Sequence, residues 1–352
     1  MNLSPKRISQ LGRVVTGKTP ATSRQEFFGG DYLFVTPSDL EYDHYYCRTT
    51  ERSVTEEAKS ALPNQFVPVD AVMFTCIGAT IGKCAIAPAE CLTNQQINSV
   101  VVNEHTDSKF LYYLLCHSVD MVKGLGGGAA TPIVSKSKFE EVELLVPPLR
   151  DQQAIADILS AYDDLIENNR RRMALLEEAA RQLYREWFVR LRFPGHEHTR
   201  ITNSVPEGWE RKTLGDLCQE IRESISPDAL DPNTPYIGLE HMPRRSISLS
   251  EWGCVEQVTS SKHRFREGEI LFGKIRPYFH KVGVAFIDGV ASSDAIVIRP
   301  DESKFRGLVL MTVSSDAFVA VTAQTMREGS KMPRADWKQM QEYAEAHWIT
   351  IR

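Results

Sequence analysis

The chain has 352 residues, 42% of them apolar and 25% charged. Chains of that length and composition bury about two globular cores, which excludes whole-chain disorder and a fibrous repeat. The formal net charge of −5 speaks against a surface coated for nucleic acid, so any such role must rest on local charge.

At the N-terminus, Met1-Asn2-Leu3-Ser4-Pro5-Lys6-Arg7 has no apolar stretch behind its basic residues. No apolar run anywhere reaches the ~20 residues of a membrane helix. The expectation is a cytoplasmic protein with no secretory signal and no membrane partner. The seven cysteines, Cys47, Cys76, Cys84, Cys91, Cys116, Cys218 and Cys254, contain no CxxC pair. They read as reduced, mostly buried thiols rather than a disulfide frame or a zinc site.

In the first block, residues 72–74, 81–87 and 97–102 have strand character, and residues 108–122 read as a helix. Gly78-Ala79-Thr80-Ile81-Gly82-Lys83-Cys84 resembles a phosphate loop. It is one residue short of GxxxxGK and has Cys where Ser or Thr should hold magnesium, so a strand turn ending in a lysine is expected. Leu125-Gly126-Gly127-Gly128-Ala129-Ala130 reads as a flexible loop, since no strand–GxGxxG–helix unit surrounds it. Thr93-Asn94-Gln95-Gln96 offers amides of the kind that bond adenine edges; the alternative is a polar turn.

From Pro147-Pro148 the chain runs without Gly or Pro to Pro194. Ile155, Leu159, Tyr162, Ile166, Asn169, Met173, Leu176, Ala180, Leu183 and Trp187 recur at alternating spacings of four and three, a heptad seam. At about 1.5 Å per residue that seam spans roughly 50 Å and needs a partner helix along much of its length. Asn169 either fixes register or is a solvated break. Arg170, Arg171 and Arg172 form a solvated face or a contact to a partner or nucleic acid. Residues 193–209 then read as a turn-rich linker, with His196 and His198 solvated within it.

The second block repeats the first. Residues 67–74 match residues 265–272, Ile77 matches Ile275 and Lys83 matches Lys281, all in one register. Asp107-Ser108-Lys109-Phe110 matches Glu302-Ser303-Lys304-Phe305, and Ser137-Lys138-Phe139 aligns with Ala335-Asp336-Trp337. Strand character recurs at residues 270–272, 282–287 and 295–298. The period is too long for a solenoid and indicates a duplicated α+β domain. Lys262, Arg264, Arg266, Lys274, Arg276 and Lys281 are interleaved with Phe265, Phe272, Tyr278 and Phe279, and Arg327, Lys331, Arg334 and Lys338 form a second basic cluster. Such mixtures suit phosphate contact and groove insertion; the alternative is a solvated sheet edge. No GxSxG, HExxH or zinc-finger spacing occurs, so no active site is expected in this chain.

With the duplication and the central helix in view, the chain resembles the DNA-specificity subunits of type I restriction–modification systems. The motif Pro147-Pro148-Leu149-Arg150-Asp151-Gln152-Gln153-Ala154-Ile155-Ala156 carries the resemblance. It continues through Asp163-Asp164-Leu165-Ile166-Glu167-Asn168-Asn169 to Leu183-Tyr184-Arg185-Glu186-Trp187-Phe188. Val205-Pro206-Glu207-Gly208-Trp209 with Leu214-Gly215-Asp216 looks like the opening of a target-recognition domain. Gly329-Ser330-Lys331-Met332-Pro333-Arg334 with Trp337 looks like the close of one.

The resemblance implies two homologous mixed α/β target-recognition domains, residues 1–146 and 210–343. One coiled-coil-type spacer helix, residues 147–192, and the linker 193–209 join them, and a tail follows at 344–352. It implies a non-catalytic subunit that binds a split site on double-stranded DNA for adenine methylation and restriction. Its partners would be two methyltransferase subunits, carrying S-adenosylmethionine, and a motor-nuclease subunit using ATP and magnesium. The family's second spacer helix has no counterpart after Met340, so a truncated subunit acting only as a scaffold stays open, as does self-association through the seam. Lys83, Asn94, Gln95, Gln96 and Lys136 in the first domain, and Lys274, Arg276, Lys281, Lys331 and Arg334 in the second, are the candidate DNA contacts.

Overall fold

The computed structural model describes residues 2–42, 44–126, 132–324 and 334–343. The chain divides into two compact units, Met1–Arg170 and Arg171–Arg352, with the division inside the long helix.

The first unit is built on two four-stranded sheets. In the first, Gly12–Thr16, Ile97–Val102, Val72–Thr75 and Cys84–Ile86 are neighbours in that order and antiparallel. In the second, Arg52–Val54, Phe28–Val35, Cys91–Thr93 and Phe66–Val67 are neighbours, and Phe28–Val35 runs parallel to Cys91–Thr93. Every residue of Val72–Thr75 is buried, because the strand is covered on both faces. Val72 and Phe74 point into a core with Phe110, Leu111 and Leu115 of the helix Ser108–His117. Met73 points into a second core with Val15, Val35 and Ala85. The side-chain period of two thus splits one apolar run between two cores. The helix expected over residues 108–122 breaks at Ser118 into Ser108–His117 and Val119–Gly124.

The second unit repeats this plan with one strand added to each sheet. Cys218–Ile221, Ala295–Pro300, Ile270–Gly273 and Val282–Ala285 reproduce the first order, extended by Ser248–Leu249. Gly253–Cys254, Pro235–Ile237, Gly289–Ala291 and Lys262–Phe265 reproduce the second, extended by Ser224–Ile225. Ile270 and Phe272 enter one core and Leu271 the other. Backbone conformation repeats too. Asp70 (φ 65°) matches Gly268 (φ 82°), Gly78 (58°) matches Arg276 (50°), and Gly82 (101°) matches His280 (52°), all in the register of the sequence repeat.

The closing segment departs from that register. Val134 N–H donates to Cys76 C=O at 2.9 Å, and Ala335 N–H donates to Lys274 C=O at 2.9 Å. Ser135 and Asp336 then cap the short helices Lys136–Glu140 and Trp337–Met340. Ser135 therefore stands opposite Asp336, and Phe139 opposite Met340. The aromatic pairing of Phe139 with Trp337 read from the sequence is three residues out.

The helix Leu149–Tyr184 begins after Pro147-Pro148 and ends in the π-helical turn Arg185–Val189, beyond which Leu191 turns left-handed (φ 55°). Its buried positions are mostly polar. In the first unit Gln152 is 1% exposed. Its amide donates to Pro147 C=O (3.0 Å) and His105 C=O (3.2 Å) and accepts from Asp107 N–H (3.0 Å). Asp163 accepts from the Tyr113 hydroxyl. In the second unit Glu177 is buried and accepts from Ser246 Oγ (2.8 Å), Ser248 Oγ (3.0 Å), Ile247 N–H (3.2 Å) and Arg181 Nη2 (3.1 Å). Tyr184 Oη accepts from Thr312 Oγ1 at 3.0 Å. The linker packs as well: Trp209 lies 4.3 Å from the ring of Phe193 and 5.9 Å from that of Phe188. All seven cysteines are free.

Candidate nucleic-acid interface

In each unit three turns meet at one end of the sheets. In the first unit, Phe28–Val35 leads into Thr36-Pro37-Ser38-Asp39, closed by Asp39 Oδ2 accepting from Thr36 N–H (2.8 Å) and Oγ1 (2.6 Å). The turn at residues 76–82 bends through its two left-handed glycines, Gly78 and Gly82. The third turn, residues 93–96, is held by Asn94 N–H donating to Val35 C=O at 2.9 Å and Cys76 N–H donating to Gln96 C=O at 2.8 Å. A β-carbon on Gly17 would stand 2.2 Å from Thr93 C=O and 2.3 Å from Asn94 C=O, so only glycine lets the chain pass there.

Lys83 reaches across two of these turns: its ammonium donates to Pro37 C=O at 3.1 Å. Lys281 does the same in the second unit, donating to Leu239 C=O. The scaffold beneath also repeats. Gln96 N–H donates to Asn94 Oδ1 at 3.0 Å, and Asp294 N–H to Ser292 Oγ at 3.2 Å. Lys274 N–H donates to Asp294 C=O at 2.7 Å, as Cys76 does to Gln96. The backbone of the end is therefore common to both units, and its side chains differ.

The structure brings Asn94 and Gln96 together in a cleft of about 400 Å³, with Thr36, Asp39, Glu51 and Arg52 among its lining residues. Asn94 is buried, its Nδ2 donating to Gln96 Oε1 at 3.4 Å. Gln95 turns away and accepts from Thr19 Oγ1 at 2.7 Å. Lys136 is not among the lining residues and pairs with Glu140 at 3.6 Å. Arg52 and the exposed Lys18, next to Gly17, are cations the sequence reading did not single out. Arg52 lies over the rings of Phe34 and Phe28 at 5.2 and 5.7 Å. Neither residue sits in a charge cluster, so no sequence pattern marks it.

In the second unit Lys274, Arg334 and Asp294 converge. Ile275 bridges Arg334, Arg334 Nη2 lies 3.2 Å from Asp294 Oδ1, and Lys274 Nζ donates to Ser293 C=O at 3.1 Å. Burial pushes the Lys274 ammonium below its usual range, Glu220 opposing the shift and Arg222 adding to it. Lys262 is shifted down by burial in the same way and is tied to Ser260 C=O (2.6 Å) and Oγ (2.7 Å). Arg276 is exposed. Lys331 lies outside the described residues. These ends offer cations, amides and the carboxylates of Asp39, Glu51 and Asp294. Among the described residues no three His, Cys, Asp or Glu side chains are grouped to hold a metal ion.

On the long helix the seam lies on the outside. Leu176 is 70% and Tyr162 66% exposed, and Leu159, Ile166, Asn169, Met173 and Leu183 are exposed with them. Ile155 and Trp187, at its ends, are half-buried.

A family model described as "Type I restriction modification DNA specificity domain" matches residues 2–178. The chain is 32% identical over 283 residues to the type I restriction enzyme MjaIX specificity subunit of Methanocaldococcus jannaschii, covering 76% of this chain and 65% of that one. To the EcoDI specificity subunit of Escherichia coli it is 25% identical over 218 residues, covering 54% of this chain and 49% of that one. It thus spans less than two thirds of either relative. The crystal structure of a type I S subunit from M. genitalium shares the fold, at TM-score 0.60 and 15% identity over 98% of this chain and 86% of that one.

Proposed function

Because the chain belongs to the type I restriction modification DNA specificity family, we propose that it recognises double-stranded DNA and performs no chemistry of its own. Each unit contacts one half of a split site with the turn-bearing end of its sheets. The observation that carries this reading is the duplication: one turn scaffold appears in both units, held by matching backbone bonds, with different side chains at the exposed turns. A repeated frame with a changed reading face suits two half-sites of different sequence. Amides and arginines can bond base edges, and the remaining cations position on phosphate.

The exposed seam on Leu149–Tyr184 supports the second half of the proposal, a docking face for the methyltransferase subunits or for another helix. Those subunits would carry S-adenosylmethionine and the adenine chemistry, and a motor-nuclease subunit would use ATP and magnesium. The experiment is co-expression with the neighbouring methyltransferase subunit, followed by long-read mapping of methylated adenines. A split, asymmetric methylated motif is expected. No motif, together with no retention of DNA at low salt, refutes recognition and leaves a scaffold.

A further inference from the structure

The turn after Ile270–Gly273 holds two non-glycine residues in the left-handed region. Arg276 sits at φ 50°, ψ 60° and His280 at φ 52°, ψ 44°. In this left-handed region a β-carbon crowds the following carbonyl. The first unit places Gly78 and Gly82 at the same two positions, and glycine enters this region freely. His280 has a visible reason to be there. It is buried, with its Nε2 at 3.3 Å from the Arg245 guanidinium and 3.4 Å from the Asp316 carboxylate. Arg276 has none: its side chain is exposed and has no hydrogen-bond, ion-pair or ring partner among the described residues. A left-handed non-glycine residue whose exposed side chain has no polar or ring partner among the described residues points to a contact outside the chain.

Its neighbours indicate the chemistry of that contact. Tyr278, two residues on, is 49% exposed, with its ring edge-on to Phe279 at 4.9 Å. The guanidinium of Arg244 lies 4.1 Å over the Phe279 ring. Neither Arg244 nor Arg276 is paired with a carboxylate among the described residues. The surface therefore presents two unneutralised guanidiniums beside an exposed aromatic ring. A polyanion with flat faces of its own, a nucleic acid, matches that combination.

We infer that the Arg276–Tyr278 turn is a DNA-contact element that the second unit has and the first lacks. Arg276 sits on a phosphate, and the Tyr278 ring lies against a sugar or base at the groove. The two homologous units then hold DNA unequally, the second with an added contact that does not depend on sequence. This inference rests on the DNA-recognition reading above.

The test is Arg276→Gly in the full chain, which restores the first unit's residue. Two quantities are read: the melting temperature, and the affinity for a labelled mixed-sequence duplex across a salt series. Relief of strain should raise the melting temperature by about 2–4 °C. Loss of one phosphate contact should weaken binding and reduce the slope of log K against log salt by about 0.9. Tyr278→Ala should weaken binding without moving that slope. Unchanged binding and slope in Arg276→Gly overturn the inference alone. So does loss of methyltransferase association with DNA binding intact, and so does a lowered melting temperature. A parent chain that holds no duplex at low salt, with or without its methyltransferase partner, overturns the DNA-recognition reading as well.

Discussion

Gln152→Leu is the substitution that most directly tests how the long helix is fastened. Leucine nearly matches the volume of glutamine, so the change removes hydrogen bonds without leaving a large cavity. Three are lost: two donated to Pro147 and His105 carbonyls and one accepted from Asp107 N–H. Each contributes about 0.5–1.5 kcal/mol net, and an N–H left buried and unpaired costs about 1–3 kcal/mol. The sum is roughly 3 kcal/mol. A unit of this size loses about 2–4 °C per kcal/mol, so the midpoint should fall by roughly 6–12 °C. All five tryptophans lie after Arg170. Far-UV circular dichroism should therefore register the fall, while the fluorescence transition, which reports the second unit, should move less. Gln153→Leu, on an exposed neighbour, should stay within about 0.5 kcal/mol. Asp107 also caps the helix Ser108–His117 by accepting from Phe110 N–H at 2.9 Å. Asp107→Ala should cost about 1 kcal/mol and couple to Gln152→Leu by more than about 0.5 kcal/mol. A loss under about 1 kcal/mol for Gln152→Leu would refute the reasoning.

Three further outcomes follow from the same geometry. Lys281→Met should weaken DNA binding with no change in salt slope, because its ammonium holds the Leu239 carbonyl rather than a phosphate; a slope reduced by about 0.9 would reverse that assignment. Leu176→Glu should leave the melting temperature of the isolated chain nearly unchanged, since the side chain is 70% exposed. It should abolish self-association or methyltransferase binding in light scattering, and retained association would remove the seam from the interface. Burial holds the His280 imidazole below its ordinary range. Arg245 and Arg181 push the same way, and Asp316 and the Ser314 backbone oppose them. The unfolded chain then takes up the proton first as pH falls, so the second unit should lose stability between about pH 7 and 5. His280→Gln should flatten that dependence, and an unchanged pH profile would count against it.

The strands were legible because each central one carries an unbroken apolar run that two cores share, as Val72–Thr75 does. The duplication was legible where apolar runs and lysines recur in one register. It failed at the closing segment, where an aromatic match between Phe139 and Trp337 outweighed what sequence cannot display: the backbone bonds of Val134 and Ala335 and the caps at Ser135 and Asp336. The destinations of Lys83 and Lys281 were hidden for a related reason. Each ammonium is bound by a carbonyl more than forty residues away, in a turn whose position only the sheet order defines. Charge pattern shows that a lysine is present but not that its ammonium is already engaged.

The long helix shows the same division most sharply. Its period announces an apolar seam, and that seam faces outward. Its fastening to the two units adds the polar groups Gln152, Asp163, Glu177 and Arg181, none of which a hydrophobic period can detect, to the few apolar contacts of Ile155, Ala156, Ala180 and Tyr184. This arrangement has a physical logic. Hydrogen bonds from buried polar groups hold a helix in one orientation, because a rotated helix would leave those groups unpaired. Apolar side chains tolerate more partners, and each Leu or Ile fully buried contributes about 1.5–3 kcal/mol. A helix oriented by polar bonds on one side therefore keeps its less selective, energetically larger face for assembly. Replacing the buried polar groups should loosen the helix on its own units, and replacing the seam should leave the units intact while the assembly is lost.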